Sequence, residues 1–265
     1  MFFHETSAAA ALKTRQACAV ESLALHNPDL TVYVLMTNEV SNSHPTMRAL
    51  QEYGNINLVQ INLDDYFFNT PLERWYFCSK WRNGRYNVSH LSDALRYLTL
   101  FKYGGYYFDL DFIMMKPVSS LRNFVGLETK NVLGAGAMHV DLGHSVFQQT
   151  IQEFRDNYKR DAWGYNGPLL ITRVLNRTCP DLNNCTTFNV LPKEIFYAVP
   201  YTEWKYFFTE KPEKPKKYRL EKSIGIHVWN KFSRAATAKK NSTQVYVRMA
   251  RKNCPRVFAV ADALF

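Results

Sequence analysis

Short apolar runs alternate with longer segments of mixed polarity through the first half of the chain. Residues 31–36 and 56–61 are rich in β-branched and apolar side chains and predict buried strands, and residues 2–7 open the chain as a strand that runs into a polar turn. The intervening segments 8–26 and 47–53 predict helices. Because strands that alternate with helices favour a parallel sheet with helical crossovers, the pattern predicts an α/β fold.

Residues 90–117, HLSDALRYLTLFKYGGYYFDLDFIMMKP, are the most informative stretch. Leucines at helical spacing predict a helix, and Asp93 and Arg96, three positions apart, fall on one of its faces. A Gly-Gly pair ends this helix, since glycine tolerates the left-handed conformation that a helix C-terminus often needs. The aromatic and apolar residues 106–115 then predict one buried strand.

Two carboxylates, Asp109 and Asp111, interrupt this predicted strand. Residues two apart in a strand point to the same side, and two carboxylates this close would repel each other without a counter-charge. Asp-x-Asp is an oxygen-ligand pattern that suits a divalent cation. The tripeptide alone is a weak signal, but the glycine turn and the preceding Asp-x-x-Arg helix strengthen it. Asp93 and Arg96 by themselves could equally be an ordinary surface ion pair.

The rest of the chain adds weaker signals. Residues 131–138 predict a strand whose glycines allow a close backbone approach, and residues 144–158 predict an amphipathic helix. Residues 118–127 favour a short helix or turn, and residues 71–86 a loop-rich aromatic segment. The acidic pair at positions 64–65 is typical of a turn and not of a second metal site.

Composition adds charge and compartment to this picture. The 265 residues are enough for one large core or two closely joined subdomains, and 33 Lys and Arg against 23 Asp and Glu favour anionic partners such as phosphates or a membrane surface. No nucleic-acid-binding motif is found. No run reaches the roughly 18 apolar residues of a membrane span, and no signal or anchor is expected ahead of Met1. A secretory lumen is favoured by the sequons at Asn87, Asn176, Asn184 and Asn241.

The five cysteines are few for a disulfide scaffold. Cys179 and Cys185 lie six apart across a loop and could close a small disulfide ring. The alternative is a set of buried thiols. Residues 211–222 form a basic, proline-containing segment, for which a solvated loop, a lid and a surface for anionic headgroups are the three interpretations.

The stretch SDALRYLTLFKYGGYYFDLDFI resembles the sugar-nucleotide-binding region of DXD-containing glycosyltransferases, and it is most similar to the α1,4-glycosyltransferase family of lactosylceramide 4-α-galactosyltransferase. Three other segments strengthen the resemblance, which runs over nearly all of the chain: FFHETS at residues 2–7, WGYNGPLLITR at residues 163–173 and HVWN at residues 227–230. The resemblance implies a GT-A fold, with a Rossmann-like mixed sheet flanked by helices. It also implies one catalytic domain, in which residues 1–130 bind the nucleotide sugar and residues 131–265 the acceptor.

The same resemblance implies a metal site and a donor site. Asp111, Asp109 and His227 would hold the metal, and the imidazole favours Mn²⁺ although Mg²⁺ also fits. Catalysis would rest on Asp109 and Asp111, with Asn166 on the opposite face of the sugar. Donor binding is assigned to Thr6, Ser7, Asp93, Arg96, Gly105, Tyr107, Asp109, Gly167 and Trp229. The resemblance further motivates a Cys18–Cys254 disulfide, which leaves Cys78 over.

The activity implied is retaining transfer of galactose or an N-acetylhexosamine from a UDP-sugar, in α1,4-linkage, onto a glycolipid or glycan. The resemblance also implies a Golgi lumen location with membrane association, although the family's N-terminal anchor is not expected in this chain. Without a second carboxylate in an obvious motif, a front-face mechanism with the leaving phosphate as base fits better than a glycosidase-like one. The alternatives are a haloacid-dehalogenase-type phosphatase, whose nucleophile motif normally continues Gly-Thr, and a non-catalytic carbohydrate-binding protein.

Overall fold

A seven-stranded mixed sheet forms the centre of the protein. The computed structural model describes residues 1–179, 181–210 and 218–265. In chain order the strands are β1 (Phe2–Glu5), β2 (Val32–Met36), β3 (Ile56–Gln60), β4 (Gly105–Phe108), β5 (Phe112–Met114), β6 (Phe124–Thr129), β7 (Val132–Val140), β8 (Asn189–Leu191) and β9 (Gly225–His227).

The strand order of the large sheet is β3-β2-β1-β4-β7-β6-β8. Strands β1 to β4 run parallel, and β7 runs antiparallel to both β4 and β6. Strands β5 and β9 form a separate antiparallel pair. The prediction of a mixed α/β sheet is confirmed. The carboxyl ends of β1 and β4 lie at the same edge, where parallel α/β sheets bind their ligands.

Helices cover both faces of the sheet. They are α1 (Thr14–His26), α2 (Pro45–Gln51), α3 (Leu63–Phe67), α4 (Glu73–Cys78), α5 (Asn87–Tyr103), α6 (Ser145–Asn157), α7 (Pro168–Thr178), α8 (Asn230–Ser233), α9 (Val245–Asn253) and α10 (Pro255–Val260). Side chains along β4 point alternately to the two faces of the sheet, and each face has its own hydrophobic core. Tyr106 and Phe108 pack in the core with α1, α9 and α10, whereas Tyr107 packs in the core with α5, α6 and α7.

The predicted helix 8–26 begins later than expected, at Thr14. The alanine-rich run before it has helix propensity, but the buried Glu5 carboxylate accepts the backbone N–H groups of Ser7 and Ala9 at 3.1 and 3.0 Å. This turn leaves Ala8 at a φ of 60°, which a helix cannot contain. A local side-chain contact therefore overrides propensity at this point.

Two other local predictions differ from the structure. The acidic pair at 64–65 lies in α3, because the Asn62 side chain accepts the N–H groups of both residues and begins a helix there. The segment 71–86 contains α4 as well as loop. Of the helix or turn expected in residues 118–127, the turn is found, because the Leu121 N–H donates to the Val118 carbonyl at 2.8 Å, and strand β6 then starts at Phe124.

The predicted strand 106–115 is two strands that belong to different sheets. Helix α5 ends at Tyr103 and Gly104 follows with a φ of 63°, as the Gly-Gly pair predicts. Strand β4 then pairs with β1 and β7, whereas β5 pairs with β9. The chain leaves the large sheet between them, so Asp109 and Asp111 lie on a connection and not on a continuous strand.

Two disulfides join distant and local parts of the chain. Cys18 of α1 is bonded to Cys254 between α9 and α10, and Cys179 is bonded to Cys185, while Cys78 is free and exposed. Both proposed pairings are confirmed. Of the basic loop at 211–222, residues 211–217 lie outside the described residues. Within the described ranges, no helix combines the length and the apolar character that spanning a membrane requires.

Candidate active site

Asp109 is fixed where the chain leaves strand β4. Its backbone N–H donates to the Gly136 carbonyl at 2.8 Å, and the Tyr107 hydroxyl donates to its Oδ1 at 2.7 Å. A Cβ on Gly136 would lie only 2.6 Å from Asp109 Oδ2, so the side chain at 136 has to be absent. The glycines of this strand were expected to allow a close approach to its backbone, and at Gly136 the group that approaches is the Asp109 carboxylate.

Arg96 of α5 forms ion pairs with two carboxylates, those of Asp93 and Asp109. Its guanidinium lies 3.1 Å from Asp109 Oδ1 and 3.5 Å from Asp93 Oδ1, and it also donates to the Ala135 carbonyl at 2.8 Å. Burial raises the pKa of Asp93 to about 7 even though Arg96 opposes the shift. Gly167 makes room for Asp93, because a Cβ there would lie 2.5 Å from its Oδ1.

Asp111 is held by the segment that connects β9 to α8. The Asn230 backbone N–H donates to its Oδ2 at 2.8 Å, and His227 Nε2 lies 2.9 Å from its Oδ1. Burial alone would raise the pKa of Asp111, but His227 and the Asn230 N–H hold it below its usual value. Burial alone would lower the pKa of His227, but the charge of Asp111 raises it above its usual value.

These contacts bring together three side chains that could ligate a metal. One ligand atom from each of Asp109, Asp111 and His227 lies within 4.8 Å of the others. The two carboxylates are half-buried and the imidazole is buried. Together they are a donor set that matches a divalent cation in charge and chemistry. The residues therefore fit the metal that the resemblance implies, and the ligand set remains a prediction.

The cluster lies in a cavity of about 490 Å³. Six residues expected at the site line it, namely Asp93, Arg96, Asp109, Asp111, His227 and Trp229. Trp229 adopts a left-handed φ of 57°, and its indole N–H donates to the Val199 carbonyl at 2.8 Å. This contact fixes the ring in the cavity wall.

An aromatic rim surrounds the mouth of the cavity. It consists of Trp163, Tyr201 and Phe232, which are 47%, 41% and 39% exposed. Tyr201 and Phe232 stack on each other at 5.5 Å, and Lys231 Nζ lies 3.1 Å from the centre of the Trp163 ring. Exposed aromatic faces beside a polar cavity are suited to the apolar faces of sugar rings.

Several predicted site residues lie behind the cavity wall or away from it. Tyr107 is buried and supports Asp109, and Gly167 lies behind Asp93. Gly105 stands at the opposite end of β4 from Asp109, about 13 Å away for a strand rise of about 3.3 Å per residue, and it is not among the residues that line the cavity. Thr6 and Ser7 follow β1 and bond to Val88 and Glu5, outside the cavity lining.

Asn166 does not reach the cavity. It is fully buried, its Oδ1 accepts the Lys159 N–H at 2.9 Å, and its Nδ2 donates to the Lys159 carbonyl at 2.8 Å. The same Nδ2 lies 3.2 Å from His90 Nε2. The amide therefore holds the loop between α6 and α7, and Asn166 is not among the residues that line the cavity.

Among the cavity residues that were not predicted from the sequence are Glu128, Tyr197 and Lys231. Lys231 directly follows the His-x-Trp-Asn segment, which is a signal that was available. Tyr197 lies in an aromatic-rich segment of a kind that is usual in a protein core, and Glu128 lies between the two predicted segments 118–127 and 131–138.

Two family models match the chain. "Glycosyltransferase sugar-binding region containing DXD motif" matches residues 13–130, and "Alpha 1,4-glycosyltransferase conserved region" matches residues 139–261. The chain is 30% identical to the lactosylceramide 4-alpha-galactosyltransferase of Homo sapiens over 96% of this chain and 75% of that protein. It is 28% identical to the alpha-1,4-N-acetylglucosaminyltransferase of Homo sapiens over 91% of this chain and 74% of that protein.

Solved structures share the fold. PaToxG glycosyltransferase superimposes with a TM-score of 0.52 at 19% identity, over 69% of each chain. The glycosyltransferase GlyE of Streptococcus pneumoniae TIGR4 gives a TM-score of 0.51 at 14% identity, over 98% of this chain and 60% of that one. These likenesses concern the fold alone, and they confirm the expected GT-A architecture.

Proposed function

Because the chain belongs to the α1,4-glycosyltransferase family, we propose that it is a metal-dependent hexosyltransferase that uses a UDP-sugar. It transfers galactose or an N-acetylhexosamine in α1,4-linkage, with retention of configuration, onto a lactosylceramide-like glycolipid. The observation that carries this proposal is the convergence of Asp109, Asp111 and His227 within 4.8 Å at the floor of one cavity.

The cation site is proposed to consist of Asp111, His227 and, directly or through water, Asp109. A divalent ion bound there would neutralise the charge that develops on the diphosphate leaving group. Mn²⁺ is the preferred ion because one ligand is an imidazole nitrogen, and Mg²⁺ is the alternative. Arg96 keeps Asp109 and Asp93 in place, and Asp93 is proposed to contact the ribose or the sugar.

The acceptor is proposed to approach over the aromatic rim. Trp163, Tyr201 and Phe232 offer exposed ring faces on which a sugar can stack, and all three come from the half of the chain assigned to the acceptor, residues 131–265. Residues 1–130 supply Asp93, Arg96, Asp109 and Asp111 to the donor side. In a front-face reaction, the proton of the acceptor hydroxyl passes to the leaving phosphate.

A Golgi lumen location with membrane association is part of the proposal. Two disulfides are typical of an oxidising compartment, and the formal charge of +10 suits an anionic membrane surface. The phosphatase alternative is not favoured, because the Asp-x-Asp pair sits with a histidine in a chain of the transferase family.

UDP release is the experiment that tests this function. The purified chain is incubated with a panel of UDP-sugars and a lactose-type acceptor, with and without Mn²⁺. We expect Mn²⁺-dependent release from one donor, together with a product whose new linkage is α1,4. The proposal would be overturned if no donor released UDP and the protein instead hydrolysed a generic phosphate ester.

A further inference from the structure

Glu128 is placed by an irregularity in strand β6. The pairing of β6 with β7 shifts once between Val125 and Gly126, and it shifts again between Leu127, which lies opposite Leu133, and Thr129, which pairs with Val132. Glu128 is the extra residue at this bulge. Bulges redirect a side chain out of the alternation of its strand, and this one brings a carboxylate to the wall of the cavity that holds the metal cluster.

The Glu128 carboxylate differs from the other acids of the cavity in its contacts. Asp93 and Asp109 are paired with Arg96, and Asp111 is paired with His227. No hydrogen bond or ion pair to Glu128 is found among the described residues. Burial raises its pKa above the usual value, with the His227 charge opposing and the Asp109 charge adding to the shift. Glu128 is not a member of the group of three side chains that could hold the cation.

Tyr197 lines the same cavity and carries a second polar group, a buried hydroxyl. It is 2% exposed, and its hydroxyl has no hydrogen-bond partner within the ranges that the structure describes. The Gly136 backbone is near enough to affect its pKa but not in hydrogen-bond geometry. After burial, the Glu128 charge is the largest influence that raises the pKa of Tyr197.

Two glycines create the space for this tyrosine. A Cβ on Gly134 would lie 2.4 Å from the Tyr197 hydroxyl oxygen, and a Cβ on Gly126 would lie 3.0 Å from its ring. The β6–β7 hairpin thus leaves out two side chains so that the phenol can lie against it. A buried hydroxyl without a partner is unfavourable, so a ligand group that bonds to it is stabilising.

We propose that Glu128 and Tyr197 together bind hydroxyl groups of the sugar that is transferred. The inference rests on the proposed function, since it assigns the donor sugar to the space between this pair and the cation site. A carboxylate that accepts and a phenol that both donates and accepts match adjacent hydroxyls on a sugar ring. Both residues contact the substrate and neither is a metal ligand.

The test compares the binding of UDP with the binding of a UDP-sugar in two variants. Glu128→Gln removes one charge, and Tyr197→Phe removes one oxygen. Titrations contain Mn²⁺ and use UDP alone and then the donor that the wild-type protein turns over. We expect UDP affinity to stay within about twofold, and the KM for the donor to rise about 10-fold or more, because a buried polar partner is lost. Monodeoxy analogues of the donor sugar should identify the hydroxyl, since one analogue will lose its sensitivity to the substitution.

Exposed residues of the same types provide the controls. Glu39→Gln and Tyr33→Phe remove the same groups at solvent-exposed positions and should leave both affinities unchanged. Thermal unfolding of every variant separates misfolding from loss of binding, and Gly134→Ala, which displaces the Tyr197 ring, should repeat the selective loss.

Three results would overturn the inference. Equal weakening of UDP and UDP-sugar would mean that the pair acts through the nucleotide or metal site, and unchanged donor affinity in both variants would mean that it touches no sugar. A large fall in kcat with unchanged KM would make Glu128 a reacting group instead of a recognition group. Failure of the proposed function looks different, because the wild-type protein would then show no Mn²⁺-dependent UDP binding.

Discussion

His227 Nε2 lies 2.9 Å from Asp111 Oδ1, although the two residues come from opposite halves of the chain. The adjacent Asn230 N–H donates to the other oxygen of the same carboxylate, across 119 positions of sequence. Strands β5 and β9 are antiparallel neighbours with Phe112 opposite His227, and this register places the histidine beside the aspartate. The contact between Asp111 and His227 thus depends on a single strand pair.

Replacing Asp111 should remove metal-dependent nucleotide binding. Substitutions in the shell around metal ligands typically cost 10- to 100-fold in affinity, so we expect Asp111→Ala to weaken Mn²⁺-dependent UDP binding by about 100-fold or more. Calorimetric titration of UDP with Mn²⁺ measures the change. Asp65→Asn, at an exposed position on α3, is the control. Retained Mn²⁺-dependent binding in Asp111→Ala would exclude this residue as a ligand.

A single methyl group at Gly136 should disturb Asp109. The added Cβ would lie 2.6 Å from Asp109 Oδ2 and would displace the carboxylate from Tyr107 and Arg96. Misplacement by about 1 Å can cost 100-fold in rate, so Gly136→Ala should lower kcat/KM by about 10- to 100-fold. Gly54→Ala serves for comparison, because its Cβ would meet no described atom within 4 Å. Full activity in a folded Gly136→Ala protein would contradict the prediction.

Asp93 should make stability fall as pH rises toward neutrality. Its pKa is about 7 in the folded protein, chiefly because of burial, against 3.8 for an ordinary aspartate. Between these values the folded chain holds a proton that the unfolded chain has released, so the free energy of unfolding decreases with rising pH. Asp93→Asn removes this contribution, which is at most about 1.4 kcal/mol per pH unit.

Chemical denaturation of wild type and Asp93→Asn at about pH 5 and about pH 7 measures the difference between them. The wild-type protein should lose more stability over this interval than the variant does. Parallel pH dependences would show that the Asp93 carboxyl ionises at its usual pKa in spite of its burial.

Glu21 should hold the last helix of the chain in place. Its carboxylate is fully buried in α1 and accepts the N–H groups of Arg256 and Val257 at 2.9 and 2.8 Å, at the start of α10. In Glu21→Gln an amide NH₂ group would face one of these donors. Since hydrogen bonds to charged groups contribute about 1.5–3 kcal/mol, we expect a loss of that order in the free energy of unfolding. Urea denaturation measures it, and an unchanged midpoint would refute the cap.

The sequence was informative where structure is decided locally. The glycine turn after α5 and the strands of the first half follow from propensity and spacing. The break after Phe108 could not be read in this way, because residues 106–115 are uniformly suited to a strand. The break is decided by strand pairing, because β4 pairs with β7 and β5 pairs with β9. Both partners are distant in sequence, so local propensity does not reveal them.

The same distinction applies to the site. Asp109, Asp111 and His227 belong to recognisable segments, and they converge as expected. Glu128 depends on a bulge that exists only when β6 pairs with β7, so no pattern around residue 128 announces it. Asn166 lies in a recognisable motif, but the amide that could bind a ligand is already occupied by the backbone of Lys159.

The passage of the chain from one sheet to the other between Phe108 and Phe112 has a mechanical consequence. Asp109 belongs to the large sheet through Gly136, whereas Asp111 and His227 belong to the β5–β9 ribbon. Sliding of the ribbon against the sheet would carry two ligands away from the third without breaking either unit. A cation held by all three side chains would therefore join the ribbon to the sheet, so metal binding would oppose any relative movement of the two units.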